Sequence, residues 1–304
     1  MKPKLSIIIP MYNDSEGFIQ TIESLQKSID WSNELVQIIV IDSSINHQTS
    51  HYQNITWIYL PKKTYAGHAR NIGVEVALSD WIGFLDCGLE VELEWINLMI
   101  QSQSLGVEVI WGKSDFLFIS PKDRAYVRSF HRVSFSRRFI RSSMIKKSLF
   151  LSMNGFVTHV HAGEDLDFYK RVSKLQIREE YNNAQAWYAH YPRNSLEILK
   201  KWSSFTKDNV IVNQAHRKFV FVLFELFALG ILIISILNGY LIVLVFAFQL
   251  AMIRLYWQTK QSSYPLVSIE DTLLTLWYTM VFDLSRIVGV IWGIFEKVKI
   301  RHET

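Results

Sequence analysis

Residues 1–212 are predicted to form an α/β domain with a parallel, doubly wound sheet, and residues 213–304 a membrane-associated helical region. Three observations predict this. Short apolar runs alternate with helix-forming stretches along the first part of the chain, a pattern that places crossover helices between parallel strands. Two of these runs end in an aspartate, Asp42 and Asp86, so that both carboxylates fall at the carboxyl edge of the sheet, where open α/β proteins collect ligands. Residues 219–256 are almost wholly apolar, whereas residues 1–215 have the composition of an ordinary globular protein.

The first strand is Leu5–Pro10, a run of β-formers closed by a proline, and Asn13-Asp-Ser-Glu16 offers caps for a helix through Leu25. Val36–Asp42 is a continuous apolar strand of the kind buried on both faces, followed by the polar loop Ser43–His51. A third strand, Ile55–Leu60, stops at Pro61. The stretch Ala66–Gly88 reads as a helix bearing Ala and Val, a short strand Trp81–Leu85 and an acidic turn. Glu90–Leu105 is expected to be a helix, Val107–Ile119 strand and turn, Asn154-Gly-Phe156 a turn, and Ala184–Tyr191 a last strand ending near His190. The segment from His161 enters a helix with Glu164 and Asp165 at its start, where acids complement the helix dipole. Asp167 and Arg171, four apart, are expected to pair on its surface, and Ser195 to cap a helix towards Phe205.

A formal charge of +4 is mild, but basic residues concentrate between 124 and 147, interleaved with Tyr126, Phe130, Phe135 and Phe139. Next to an apolar tail this pattern suits a segment lying on anionic lipid, and no nucleic-acid partner is expected. The single cysteine, Cys87, excludes an internal disulfide and fits a reducing compartment. The apolar run at the N-terminus is too short for a signal peptide, so the α/β head is expected to stay on the side where it was made.

Residues 219–236 and 240–256 read as a transmembrane hairpin turning at Asn238-Gly239. Arg217 and Lys218 at one end and Arg254 and Lys260 at the other place both ends in the cytoplasm. The expected location is therefore the inner cell membrane, with the α/β head on its cytoplasmic side. In the last segment, residues 269–296, Thr275, Thr279, Asp283, Arg286 and Gly293 line up as a polar stripe. The stripe favours an interfacial helix over a third transmembrane one, because spanning would leave Lys297, Lys299 and Arg301 outside.

Six short motifs in order, Ser6-Ile-Ile-Ile-Pro-Met-Tyr-Asn13, Ile38–Ser44, Ala66-Gly-His-Ala-Arg-Asn71, Phe84-Leu-Asp-Cys-Gly88, Asn154-Gly-Phe156 and Gly163-Glu-Asp165, resemble those of family 2 inverting glycosyltransferases. The resemblance covers roughly the first two hundred residues, a full domain by length. It implies the GT-A fold, a Rossmann-like architecture for nucleotide-diphospho-sugar transferases. It further implies that Tyr12, Asp14 and Asp42 hold base and ribose, that Arg70 lies near base and diphosphate, and that Pro10, Gly67 and Asn71 belong to the same donor site. Arginine suits that place because it stays charged and gives paired hydrogen bonds to phosphate.

The family's Asp-x-Asp turn binds a divalent cation on the sugar diphosphate. Here the first position is Asp86 but the third is Gly88, so the resemblance implies weakly bound Mg2+ or Mn2+, with Glu90 or His190 as candidates for a further ligand. By position, Asp165 is the general base and Glu164 its neighbour, whose charge raises the proton affinity. The apolar tail suits either a lipid-linked acceptor, such as a polyprenyl phosphate or polyprenyl-linked sugar, or an anchor alone, with membrane lipid as a partner in both cases. The missing third carboxylate also supports a rival expectation, a membrane protein that binds nucleotide sugar or scaffolds a complex without catalysis.

Overall fold

The computed structural model describes residues 1–47, 52, 54–130, 140–188, 191–192, 194–211, 234, 237 and 265–303, with side chains as far as residue 299. His190 and the predicted hairpin, except Ile234, lie outside the described residues. The chain divides into two compact units, Met1–Leu117 with Ser136–His190, and Phe118–Phe135 with Tyr191–Thr304. The second unit therefore draws in Phe118–Phe135, chain that the sequence reading placed with the first.

The first unit is built on β1 (Leu5–Met11), α1 (Ser15–Ser32), β2 (Val36–Asp42), β3 (Ile55–Tyr59), α2 (Ala66–Val76), β4 (Trp81–Leu85), β5 (Leu89–Val91), α3 (Trp95–Ser102) and β6 (Val109–Phe116). After α4 (Pro121–Phe130), which belongs to the second unit, it continues with β7 (Ser142–Lys146), α5 (Lys147–Ser152), α6 (Glu164–Val172) and β8 (Glu179–Tyr188). The eight strands form one sheet in the order β3-β2-β1-β4-β7-β6-β8-β5.

Strands β3, β2, β1 and β4 run parallel, as expected. The far half is mixed, because β7 lies antiparallel to both β4 and β6, and β5 antiparallel to β8. Alternation along β1 sends Leu5, Ile7 and Ile9 to one face with Phe18, Ile22 and Trp95, and Ile8 to the other with Val74, Phe84, Phe150 and Phe168. Both faces are covered, which is why β1 and β2 read as unbroken apolar runs.

Several boundaries move. Glu90–Leu105 begins inside β5 and only then becomes α3, and β8 starts at Glu179 rather than Ala184. Asp14 caps α1, its carboxylate accepting the Gly17 N–H at 3.0 Å, and α1 runs on to Ser32, past the expected Leu25.

The second unit contains α4, α7 (Ser195–Ile211) and α8 (Ile269–Glu303). The cap of α7 is Asn194, whose Oδ1 accepts the Glu197 N–H at 3.0 Å; the expected cap, Ser195, instead accepts from Trp277 Nε1 at 2.9 Å. Arg128, from the basic cluster expected on a membrane surface, is 1% exposed. Its guanidinium donates to both oxygens of Asp271 at 2.8 and 2.9 Å, to Thr275 Oγ1 at 2.7 Å and to Pro265 O at 2.8 Å. A buried ion pair is tolerable only when its donors are matched in this way, and here it fastens α4 to the first turns of α8.

Candidate active site

The carboxyl edge of the parallel strands is stitched together by loop polar groups. Asn13, held at φ 50°, donates its N–H to Ser44 Oγ at 2.8 Å and accepts the Ile45 N–H at 3.0 Å. This joins the loop after β1 to the loop after β2. Asp42 is wholly buried; Oδ1 accepts the Ser44 N–H at 2.8 Å and Oδ2 lies 3.3 Å from His47 Nδ1. The His47 ring lies against Tyr59, which stacks on Trp57. Pro10 is paired with Ile41 in the ladder, and the half-buried Tyr12 beyond it has Lys63 Nζ 4.6 Å from its ring centroid. Asp86 follows β4, two strands from the end of β2, so the two aspartates lie roughly 10 Å apart across the edge.

Around Asp86 the structure makes a compact polar assembly. Arg70, 4% exposed on α2, donates from Nη2 to Asp86 Oδ1 at 2.6 Å and from Nη1 to Glu164 Oε1 at 2.9 Å. Gly67 permits this. A Cβ there would stand 2.8 Å from Val157 O and 3.1 Å from Glu164 Cγ, so only glycine lets α6 approach α2 closely enough.

A second clamp fixes α6. Asn71, the residue after Arg70, donates from Nδ2 to Phe156 O at 2.8 Å and accepts the Phe156 N–H at 2.9 Å. Arg171 donates to the carbonyls of Met153 and Gly155 as well as to Asp167, so the expected surface pair is part of a bracket around the same turn. The Asn154-Gly-Phe156 turn is thus gripped from α2 and from α6. Gly163, at φ 95°, then starts α6 in a backbone conformation that disfavours side-chain-bearing residues and brings Glu164 and Asp165 in at once.

The electrostatics follow from burial. Desolvation alone would lower the proton affinity of Arg70, but Asp86 and Glu164 more than reverse it, so the guanidinium stays charged. Glu164 is pushed upward by burial, opposed by Arg70 and reinforced by Asp165. Asp165, half-buried, is also pushed above the usual carboxylate range by burial; its Leu166 N–H bond, Arg70 and Arg141 oppose the shift, and Asp86 adds to it.

Arg141, which in sequence belongs to the basic cluster, joins the candidate site in the structure. It donates from Nε to Ser114 Oγ at 2.8 Å with its guanidinium 5.5 Å from the Phe116 ring centroid. Its neighbour Ile140 donates its N–H to Tyr169 Oη at 2.9 Å, and Tyr169 lies one helical turn beyond Asp165. No local signal could have singled it out, since its partners come from β6 and α6.

Of the predicted residues, the structure brings Gly67, Arg70, Asn71, Asp86, Glu164 and Asp165 into one locality, with Pro10, Tyr12, Asp14 and Asp42 along the same sheet edge. Asn71 uses both ends of its amide on backbone, a structural task the resemblance does not imply, and Asp14 caps α1 as the Asn13–Glu16 segment predicts. Among the described residues no group of three or more His, Cys, Asp or Glu side chains could enclose a metal ion, and Glu90 is in the β5 ladder opposite Trp187.

The mixed α/β sheet, with acidic and basic groups converging where its parallel strands end, has the GT-A glycosyltransferase fold, as the structural and family matches show. Residues 6–162 match the sequence profile described as Glycosyl transferase family 2, and the chain belongs to that family. It is 22% identical over 192 residues to Glycosyltransferase AglE of Haloferax volcanii, covering 56% of this chain and 62% of that one. It is 27% identical over 206 residues to Poly(ribitol-phosphate) beta-glucosyltransferase of Bacillus spizizenii, covering 59% of this chain and 31% of that one. The chain thus spans less than two thirds of either relative. In fold it is similar to the mannosyltransferase PcManGT of Pyrobaculum calidifontis, solved with GDP-Man and Mn2+, with a TM-score of 0.65, 12% identity and coverage of 98% of this chain and 88% of that one.

Proposed function

We propose that the protein is a membrane-associated, inverting glycosyltransferase that moves a sugar from a nucleotide diphosphate sugar to a hydroxyl of a lipid-linked acceptor such as a polyprenyl-linked sugar. The observation that carries this is the Arg70 bridge between Asp86 and Glu164 with Asp165 beside it. Asp165 takes the proton of the acceptor hydroxyl as that oxygen attacks the anomeric carbon from the face opposite the departing diphosphate. Arg70, held charged between two carboxylates, meets the negative charge that grows on the leaving group. Glu164 orients Arg70 and keeps the local field favourable to a base of raised proton affinity. Tyr12, Asp42 and the His47–Tyr59 pair form the nucleoside end. PcManGT, carrying GDP-Man in the same fold, supports this direction of binding.

The residues fit a cation that arrives on the donor better than one enclosed by protein. Asp86 presents a hard carboxylate about a third exposed, and Gly88 offers no second one. A divalent ion held by Asp86 and the diphosphate would neutralise the leaving group. Transfer is expected to stop in excess chelator and return with Mg2+ or Mn2+. Asp86→Asn is expected to raise the metal concentration for half-maximal rate roughly tenfold or more. Full activity in chelator would remove the ion from the mechanism.

Arg141 gives a second check. Its charge favours the ionised form of Asp165, so Arg141→Gln should move the acidic limb of the kcat/KM profile to higher pH. A limb that stays in place would detach Arg141 from the base. The decisive assay is transfer by the purified chain across a panel of nucleotide sugars, with stereochemistry read by NMR. Donor binding without hydrolysis or transfer would favour a non-catalytic binding role.

A further inference from the structure

The polar stripe of α8 does not face water. Asp271, Thr275, Thr279 and Ser285 are buried, Asp283 and Arg286 are half-buried and paired with each other at 3.0 Å, and Gly289 and Gly293 are pressed against α7 so closely that a Cβ at either would meet Thr206 or Val210 within 3 Å. Conversely, every exposed side chain from Leu273 to Phe295 is apolar. Leu273, Trp277, Met280, Leu284, Val288 and Ile291 recur at spacings of three and four and form one stripe about 30 Å long. A helix that hides its polar and small residues and shows its large apolar ones is reversed relative to a water-soluble surface helix.

What sits beside α8 decides how that stripe meets lipid. Ser195 bonds Trp277, Trp202 packs on Phe282 at 4.9 Å, Lys207 Nζ lies 4.7 Å from the Trp292 ring centroid, and Gly293 abuts Val210. The pairs advance together, so α7 runs parallel to α8 and abreast of the stripe from Trp277 to Gly293. Glu197 and Lys200, exposed on α7, are therefore level with the part of the stripe between Trp277 and Phe282. If α8 crossed the bilayer, these charges would be carried into the hydrocarbon, where charged side chains are strongly disfavoured. Lying in the interface removes that cost, with the stripe downward and α7 on the opposite face.

We infer that α8 is a monotopic membrane seat: it lies along the bilayer surface with the Leu273–Phe295 stripe among the acyl chains and α7 above it. Lipid is the occupant because residues 212–264, which join the end of α7 to the start of α8, contain the almost wholly apolar stretch 219–256. The unit is thus tied at two points to chain that itself requires lipid. Lys297 and Lys299 at the end of the stripe suit anionic headgroups. The inference rests on the proposed membrane association and adds its geometry.

The test uses the full chain with one added cysteine at a time, Leu273→Cys, Met280→Cys, Leu284→Cys, Ile291→Cys and Phe295→Cys. Each is spin-labelled and bound to phosphatidylcholine–phosphatidylglycerol vesicles. Depth is read from relative collision with oxygen and a water-soluble nickel chelate. Unsubstituted protein is the labelling control, since its half-buried Cys87 thiol donates to Asp14 O and is pushed upward by burial. All five labels at one shallow depth, about 5–10 Å below the headgroups, is the expected result. A profile deepest near Leu284 and shallow at both ends would mean a spanning helix and overturn the inference while leaving membrane association intact. Labels shielded from oxygen and paired between two chains would assign the stripe to a second copy and also overturn it. Failure of the protein to float with vesicles would overturn the membrane reading itself.

Discussion

Asp165→Asn is expected to abolish transfer, with kcat falling by about 10²–10⁴-fold, while the donor still binds. The substitution keeps the acceptor oxygen that receives the Leu166 N–H and changes only the ability to hold a proton. The same variant is expected to melt at a higher temperature than the wild type at pH 7. The sign follows from linkage. Burial raises the folded-state pKa of Asp165 above its unfolded value, so the stability contributed by the protonated acid is present at low pH and lost as pH rises through the folded pKa. At neutral pH the carboxylate is a cost that the neutral amide removes, and the advantage should shrink as the buffer is made acidic. Wild-type turnover would refute the assigned base; a lowered melting temperature at pH 7 would refute the burial argument.

Arg70→Met is expected to have the largest combined effect. It removes the cation from between Asp86 and Glu164 and leaves Glu164, 8% exposed, without its partner. Breaking a buried pair in this way costs about 3–5 kcal/mol; the lower end is expected here, because Asp86 is partly open to solvent. Turnover should fall by about 10²–10³-fold, the usual consequence of deleting a group that stabilises leaving-group charge. Adding Glu164→Gln to Arg70→Met should restore much of the stability without restoring turnover, because the uncompensated buried charge is then gone but the cation is still missing. Denaturant melts of the two single variants and the double variant, alongside rates, separate the two roles. If the double variant is no more stable than Arg70→Met, the bridge is not what holds α2 against α6.

Much of this was legible in the chain. Unbroken apolar runs such as Val36–Asp42 identify strands buried on both faces, and an aspartate directly after such a run must fall at the carboxyl edge. That logic located Asp42 and Asp86 without any tertiary information. The Gly163-Glu-Asp165 segment likewise marks the start of a helix. Local signals of this kind depend on bonds and spacings within a few residues, so they survive being read in one dimension.

Other features are set by groups brought together from far apart. Arg70 and Glu164 are 94 residues apart, and Arg128 and Asp271 are 143 apart. Asn71 and Arg171 look like a donor ligand and half of a helix ion pair, yet both are used to grip the Asn154-Gly-Phe156 turn. The stripe on α8 is the sharpest case. Its period was visible, and so was its polarity, but whether Thr275 and Thr279 face water or a neighbouring helix depends on α7 and α4.

The sequence by itself determined the α/β class, the parallel strands, the edge on which ligands gather and the family to which the chain belongs, because periodicity and motif order are properties of neighbours along the chain. Only the tertiary structure decided that Arg70 bridges two acids, that the charge of Arg141 acts on Asp165, and that α8 turns its apolar side outward. Each of those outcomes is fixed by which buried charge must find a partner and which face another helix has already covered, and neither condition exists until the chain has folded.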